Sequence, residues 1–338
     1  MNKLLKIFLA AVFTICGMIF MENQIVLADS NDFSISPVLP SNQREDNNSY
    51  FDLIVTPNEN QTLAITIKNS SSETQKYNVI INTATTNQNG IVDYSITDFE
   101  KDDSMKISLK DIISLENAQI EVEANSQKDV SFELKVPEES FEGILLGGIT
   151  VEPVVEEDSE GISNLITRTL AIVLTESDEV IEPELKAGEV SISQENYRNN
   201  VTIELRNITP TLIKRVTAEI SISRSGNNEP IIEQTREQLS IAPNSKFNLM
   251  SQWDDQFEAG SYTYTIKLSG EEGHEWAFTK DFEIEAEQAK EFNTTSVDEK
   301  KNSINYYLVV GIGLFLLLLI ICVYLVIKIR KMKNNTSM

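Results

Sequence analysis

Cysteine is almost absent from this chain of 338 residues. The two cysteines that it contains, Cys16 and Cys322, lie in apolar segments close to the two ends. The long region between them therefore has no disulfide to brace it, which excludes the small disulfide-dense scaffolds found among secreted proteins. Its stability must come from hydrophobic cores, and domains of about 130 residues are large enough to build them.

Histidine is equally scarce, with His274 as the one example. A Ser-His-Asp or Cys-His catalytic arrangement would have to use it, and a zinc site needs three or four His, Cys or carboxylate ligands. The sequence also has no phosphate-binding loop and no dinucleotide fingerprint. A glycosidase needs a pair of carboxylates, and carboxylates are abundant here, but nothing in the sequence places two of them in a cleft. We therefore expect no enzyme activity, no cofactor and no metal site, with His274 in an exposed loop.

Positive charge is in the minority. The chain has 28 Lys and Arg against 52 Asp and Glu, which gives a net charge of −24. Six of those cations lie in the terminal segments, so the region between the two ends is more acidic still. Such a surface repels nucleic acid and anionic lipid head groups and favours solubility. We expect no nucleic acid among the partners.

The N-terminal segment has the pattern of a secretory signal peptide. Lys3 and Lys6 precede the apolar run Ile7–Met21, and small residues lead up to Ala28 and Asp29. This order of positive, apolar and small residues predicts a signal peptide over 1–28, cleaved between Ala28 and Asp29. The alternative is an uncleaved first transmembrane helix.

A second apolar segment lies near the C-terminus. Tyr306–Ile327 is 22 residues long and carries no charge. As a helix it would span about 33 Å, enough for a hydrocarbon core of roughly 30 Å. The basic tail 328–338 that follows indicates the cytoplasmic side. We predict a single-pass cell-membrane protein with an extracellular N-terminal region and a cytoplasmic tail; the alternative is a buried helix of a globular domain.

The region between these segments alternates apolar and polar residues with a period of two. Leu63–Ile67 and Val130–Val136 each place three or more apolar side chains on one face. Many short strands separated by turn residues are typical of a β-sandwich. We predict an all-β fold with two tandem immunoglobulin-like sandwiches at 29–155 and 162–287, joined by an acidic boundary at 156–161.

Local motifs refine this prediction. Asn87–Gly90 is a strong hairpin signal because Asn-Gly readily adopts positive φ, and Leu109–Glu116 is the one stretch of the first half that favours a helical turn. Ala124–Lys128 and Ala242–Lys246 are similar turn sequences, each followed by a strand and a glycine-marked segment, which supports two related domains. The polar segment 288–305 is predicted to be a linker.

A segment punctuated by prolines and one of the two tryptophans provide the candidate contact residues. Trp253 lies at a strand end where a sandwich places an inward ring, so we predict that it packs in the core. Trp276 either packs there or belongs to a contact surface. The segment Ser36–Gln43 either crosses between sheet edges or forms a recognition edge. The candidates for partner contact are Pro37, Leu39, Pro40, Asn42, Gln43 and Trp276.

Spaced motifs along the chain resemble the WxL-interacting surface proteins of Gram-positive bacteria. The motifs are Phe33–Pro40, Tyr50–Leu53, Asn87–Gly90 and Phe141–Ile149 in the first half, and Ala242–Ser245, Ala259–Tyr262 and Trp276–Phe278 in the second. The order of signal peptide, two exported domains, C-terminal helix and short basic tail is also similar to that family. The chain has no Trp-X-Leu triplet of its own, so it resembles the companion of WxL proteins and not a WxL protein.

The resemblance implies a peptidoglycan-binding domain in the first half and a host- or partner-binding domain in the second. The expected partners are peptidoglycan, a WxL-domain surface protein and host extracellular matrix. We therefore expect a membrane-anchored, non-enzymatic binding protein of the cell surface. The alternatives are an assembly chaperone for exported surface proteins and a wall hydrolase, which the sparse catalytic inventory opposes.

Overall fold

The computed structural model describes residues 33–45, 47–154, 165–227, 229–297 and 314–317. The predicted signal peptide 1–28 with its cleavage site at Ala28 and Asp29, the acidic boundary 156–161 and the tail 328–338 lie outside these residues. So does the predicted span Tyr306–Ile327, apart from 314–317. Within the part of the chain that is described, no helix combines the length and the apolar character needed to cross a membrane.

The described chain is all-β, with several sheets in a sandwich-like arrangement, and it divides into two compact units. The first unit combines residues up to Thr83 with Ser108–Ser177, and the second combines Ala84–Ile107 with residues from Asp178 onward. The strands Asn60–Asn69 and Ser126–Lys135 alternate buried side chains with more exposed ones, as the period-two pattern predicts, whereas Leu145–Pro153 is buried at almost every position.

Two sheets of the first unit have the strand orders β1-β3-β9-β7 and β2-β11-β10-β4-β8. Their pairings are antiparallel except for β2 with β11, which is parallel. The elements are β1 (Phe33–Val38), β2 (Phe51–Ile54), β3 (Asn60–Asn69), β4 (Gln75–Thr83), α1 (Leu109–Ile112), β7 (Ile113–Ser114), β8 (Gln119–Val122), β9 (Ser126–Lys135), β10 (Leu145–Pro153) and β11 (Arg168–Thr175).

The core of the first unit lies between these two sheets. Phe51 of β2 meets Phe132 of β9 edge to face, with ring centroids 5.9 Å apart. The alternating residues Leu63, Ile65 and Ile67 of β3 are fully buried. Burial of such side chains stabilises a fold by about 1.5–3 kcal/mol each, so this layer supplies the stability that disulfides cannot.

Two sheets of the second unit have the orders β12-β13-β16 and β15-β14-β17-β18, and a short pair β5-β6 belongs to the same unit. The elements are β5 (Thr85–Thr86), β6 (Val92–Asp93), β12 (Leu185–Glu195), β13 (Arg198–Asn207), β14 (Ile213–Arg224), β15 (Pro230–Ile241), β16 (Ser245–Gln252), β17 (Gly260–Ser269), β18 (Glu275–Ile284) and α2 (Ala286–Thr295).

Aromatic side chains fill one end of the second core. Trp253 is buried, as predicted, and its ring lies 5.5 Å from that of Tyr262 in an edge-to-face contact and 5.3 Å from that of Phe257. Across the same core, the Tyr264 hydroxyl of β17 and the Ser251 hydroxyl of β16 are 2.8 Å apart. Burial raises the pKa of Tyr264 to about 12, so the phenol stays neutral.

Two predicted boundaries differ from these units. Arg168–Thr175, expected in the second domain, pairs with β10 and β2 and so belongs to the first unit. Residues 84–107, expected in the first domain, belong to the second unit. Alternation of apolar and polar residues shows which face of a strand is buried, but it does not show which sheet the strand joins.

The prediction of a linker over 288–305 is wrong for its first part. The helix α2 occupies Ala286–Thr295, buries Ala289 and places the Phe292 ring 6.0 Å from that of Phe257. These two apolar residues are three positions apart and therefore share one helix face, which is enough to dock an otherwise polar helix on the core.

Candidate functional site

The predicted contact residues of the first half lie at an edge of the first unit. Among the described residues β1 is one of the two edge strands of its sheet, and Pro37 stands opposite Ile65 of β3. Proline cannot donate to a strand ladder, so it is suited to this edge position. Immediately beyond it, Val38 is 44% exposed and Leu39 is 39% exposed.

After Leu39 the chain crosses from one sheet to the other. The Gln43 amide donates to the Pro40 carbonyl at 3.2 Å, and Gln43 then forms an antiparallel bridge with Leu53 of β2. Ile54, which follows Leu53 and is 42% exposed, donates its amide to the Asn42 carbonyl at 3.2 Å. We call this region, Val38–Gln43 with Ile54, the crossing edge.

The two amide side chains of the crossing edge are used inside the unit. Asn42 Nδ2 donates to the Ile54 carbonyl at 3.0 Å and to Gln61 Oε1 at 3.1 Å, while Gln61 Nε2 donates back to Asn42 Oδ1 at 2.9 Å. Gln43 Nε2 donates to the Asn47 carbonyl at 3.0 Å. The side chains of Asn42 and Gln43 are therefore arranged as in a packed crossing between the sheets. The outward apolar surface is formed by Val38, Leu39 and Ile54.

Two residues of that apolar surface were not among the sequence candidates. A signal for Ile54 was present, because the alternation that turns Phe51, Leu53 and Val55 inward turns Ile54 outward. Val38 follows Pro37 in the edge strand and is likewise outward. An apolar residue on the outward face of a strand is the pattern that marks such a surface.

Trp276, the candidate of the second half, lies in β18 opposite Leu268 of β17. Its side chain is half-buried and packs partly against the core of the second unit. Its ring is nearly parallel to that of His274, with centroids 6.0 Å apart and an interplanar angle of 10°. Trp276 thus contributes to both the core and an aromatic surface, so neither interpretation from the sequence excludes the other.

His274 follows a short 3-10 turn at Glu271–Gly273 and is fixed at both ring nitrogens. Nε2 lies 2.7 Å from Glu182 Oε2, and Nδ1 lies 2.8 Å from the Glu271 carbonyl oxygen. The hydrogen bond with Glu182, followed by that with Glu271, raises the pKa of His274 above its ordinary value. The pair therefore favours the imidazolium form.

A cleft of about 180 Å³ lies beside these rings in the second unit. Val180, which is 81% exposed, stands at this cleft and had no signal in the sequence. The cleft offers aromatic, apolar and charged surface to a partner. Its lining includes Val180, Pro183, Lys214, Glu272, His274 and Trp276.

Among the residues that the structure describes, no group of three or more His, Cys, Asp or Glu side chains is placed to hold a metal ion. The arrangement of both surfaces is suited to binding, since each combines exposed apolar groups with polar groups held by the fold.

The chain thus falls in the class of all-β proteins with sandwich-like units. Comparison with known families narrows this class to one family. The model of the WxL Interacting Protein peptidoglycan binding domain matches residues 33–153, and the model of the WxL Interacting Protein host binding domain matches residues 157–294. The chain belongs to the WxL Interacting Protein family.

Solved structures give only distant likenesses. One from a study of a chaperone–tip adhesin complex in CFA/I fimbriae biogenesis is 11% identical, covers 74% of this chain and 98% of its own, and has a TM-score of 0.33. The Pseudomonas aeruginosa CupB2 chaperone is 12% identical over 67% of this chain and 95% of its own, with a TM-score of 0.28. The search of curated proteins gives no match.

Proposed function

We propose that this chain is a membrane-anchored, non-enzymatic binding protein of the cell surface. The first unit associates with peptidoglycan, and the second binds a WxL-domain surface protein or host extracellular matrix. The observation that carries the proposal is the pair of family matches, one to a peptidoglycan binding domain and one to a host binding domain.

The finer architecture is part of the same proposal. The segment 1–28 directs export, the two β units are immunoglobulin-like, and Tyr306–Ile327 anchors the chain with 328–338 in the cytoplasm. The apolar and basic patterns of the two terminal segments support this topology. It would keep both binding units on the outer side of the membrane, where wall and partner proteins are accessible.

The crossing edge is the proposed contact surface of the first unit. The unpaired backbone groups of an exposed sheet edge can pair with an extended peptide, such as the peptide part of peptidoglycan, and outward apolar side chains beside them add buried area. The internal hydrogen bonds of Asn42 hold this edge in place before any partner arrives. Leu39, with Val38 and Ile54, would then contact peptidoglycan directly.

The peptidoglycan assignment is tested by sedimentation of the full chain with purified cell walls. The full chain is needed because a fragment ending at residue 155 would lack β11, a strand of the first unit. We expect the wild type to sediment and Leu39→Ser to sediment several-fold less. Ile231→Ser, at a similarly exposed apolar residue of the second unit, is the control and should behave like the wild type. Failure of the wild type to sediment would refute the wall-binding half of the proposal.

The partner assignment is tested by capture of a purified WxL-domain protein on the immobilised full chain. Trp276→Ala should reduce capture because it removes the larger of the two aromatic rings at the cleft. Leu39→Ser should leave capture unchanged, since it lies in the first unit. Equal capture by wild type and Trp276→Ala would remove the cleft from the proposal, and no capture by the wild type would refute the WxL partner.

A further inference from the structure

The segment 84–107, here called the strap, lies within the range matched by the first family model but within the second compact unit. It starts directly after β4, and its Asn87–Gly90 turn forms the predicted hairpin between β5 and β6. The Asn87 carbonyl accepts the Gly90 amide at 2.8 Å, and Gly90 has a φ of 74°.

The hairpin of the strap is hydrogen-bonded to β15 and β16. The Met250 amide of β16 donates to the Gln88 carbonyl at 2.9 Å, and the Ser240 amide of β15 donates to the Gly90 carbonyl at 2.8 Å. The strap thus satisfies backbone donors from both sheets of the second unit. An unpaired buried backbone group costs about 1–3 kcal/mol, so these bonds matter to the strands that make them.

Thr86 anchors the beginning of the hairpin. Its hydroxyl accepts the Ala242 amide at 2.9 Å and lies 2.9 Å from the Ser245 hydroxyl. All three residues are buried. Buried hydroxyls that have two hydrogen-bond partners are typical of protein interiors. The Thr86 hydroxyl joins the strap in this way to the turn between β15 and β16.

Gly90 lies directly on the hydrophobic core of the second unit. A Cβ at this position would be 3.0 Å from Leu239 Cδ2 and 3.3 Å from Leu249 Cδ1. Leu239 belongs to β15 and Leu249 to β16, and both are part of the core cluster. The close approach and the positive φ both favour glycine here.

Charge pairs hold the rest of the strap. Asp102, whose side chain is fully buried, lies with Oδ2 2.6 Å from Arg206 Nε, and its Oδ1 accepts the Ser104 amide at 2.9 Å. Lys246 pairs with Glu100 in the same region. Burial by itself raises the pKa of Asp102, but the hydrogen bonds from Arg206 and Ser104 outweigh it and hold the pKa below its ordinary value.

We propose that β15 and β16 of the second unit form an acceptor surface for an extended hairpin segment, and that residues 84–107 of the same chain are its occupant. The part of the second unit that starts at Asp178 is therefore not self-contained. A fragment that follows the family boundary and begins at residue 157 leaves uncovered the amides of Ser240, Ala242 and Met250 and the core beside Gly90.

The first test uses the scarcity of cysteine. In a full chain carrying Cys16→Ser and Cys322→Ser, the pair Thr86→Cys and Ser245→Cys places two thiols where the hydroxyls are 2.9 Å apart. With oxidised glutathione we expect an intramolecular disulfide, seen as a monomer on a non-reducing gel and as linked peptides by mass spectrometry. The two single-cysteine variants are the controls. Free thiols in the folded pair variant would overturn the proposal, and so would a disulfide-linked dimer, because the strap would then come from a second copy.

The second test asks whether β15 and β16 depend on the strap. Thr86→Val keeps the shape of the side chain but removes the acceptor for Ala242. By hydrogen exchange on the full chain, we expect roughly tenfold faster exchange at Ala242, Ser240 and Met250 together. Thr66→Val in the first unit, where the threonine is more exposed, is the matched control and should leave all three amides unchanged. Unchanged exchange in Thr86→Val, or a change at Ala242 alone, would overturn the dependence.

Discussion

The two units share one structural corner built on a buried asparagine. In the first unit, Asn69 Nδ2 donates to the carbonyls of Glu73 and Val122 at 2.8 and 3.2 Å. In the second, Asn207 Nδ2 donates to the carbonyls of Thr211 and Ala242 at 2.7 and 2.9 Å. Both asparagines are fully buried. The same side chain thus closes the same kind of turn twice.

The partner turn is repeated as well. Asn125 has a φ of 50° and donates its amide to the Ser71 carbonyl at 3.0 Å, whereas Asn244 has a φ of 48° and donates to the Thr209 carbonyl at 3.0 Å. These turns are the two similar sequences at Ala124–Lys128 and Ala242–Lys246. The short sequence similarity therefore reflects a repeated structure, and asparagine suits it because it tolerates positive φ.

The units differ in what fills and covers their cores. The first pairs Phe51 with Phe132 in a mainly aliphatic layer. The second gathers an aromatic cluster around Trp253, packs α2 on it and takes the strap against Leu239 and Leu249. A shared corner thus supports one unit that relies on its own strands and one that draws in added segments.

The largest expected effect on stability comes from a substitution in the aromatic cluster of the second unit. Trp253→Ala should lower the free energy of unfolding of that unit by about 4 kcal/mol, because it leaves a large cavity between Phe257 and Tyr262. Both tryptophans lie in the second unit, so in either variant urea denaturation followed by the fluorescence of the remaining tryptophan reports on that unit. Trp276→Phe, at a half-buried ring, is the control and should cost less than about 1.5 kcal/mol. If Trp253→Ala lowers the free energy of unfolding no more than Trp276→Phe does, the aromatic cluster does not distinguish the core of the second unit from that of the first.

The shared corner predicts losses of stability of similar size in the two units. Asn69→Ala and Asn207→Ala should each cost about 1–3 kcal/mol, since each removes a fully buried side-chain amide that donates to at least two backbone carbonyls. Hydrogen exchange resolved by peptide should show the loss of protection in the first unit for one variant and in the second for the other. A loss for only one of the two variants would show that the corners are not equivalent.

The strap gives the second unit an acid-sensitive contact. The lowered pKa of Asp102 means that its carboxylate stabilises the folded unit above about pH 4, and that this stabilisation is lost as pH falls through the folded-state pKa. Asp102→Asn should cost about 2 kcal/mol at pH 7, as expected for a buried charged hydrogen bond. Urea denaturation from pH 7 to pH 3 should show this difference shrinking. A difference that stays constant across that range would refute the role of the carboxylate.

Much of the fold could be predicted from alternation and turn chemistry. The faces of β3 and β9, the Asn87–Gly90 hairpin and the burial of Trp253 all follow from residue patterns over a few positions. Those patterns are local, because they state which side of a strand is apolar.

The compact unit that each segment joins could not be predicted in this way. The strap joins the second unit through a threonine hydroxyl, a glycine and a buried aspartate, none of which belongs to an apolar alternation. The helix α2 docks through only Ala289 and Phe292. At the candidate site, the outward Ile54 followed from alternation, whereas the hydrogen bonds of Asn42 needed three dimensions.

The smallest expected effect concerns the pair of His274 and Glu182, which has no counterpart in the first unit because the chain has a single histidine. The pKa of His274 is raised, so the contribution of the pair is present below about pH 6.5 and is lost as pH rises through the folded-state pKa. Since the two rings are nearly parallel, protonation should alter Trp276 fluorescence, measured in a Trp253→Phe background. We expect a titration midpoint above 6.5 in that background, returning toward 6.5 in Glu182→Gln. A midpoint that is the same with and without the Glu182 carboxylate would show that this contact does not hold the imidazole.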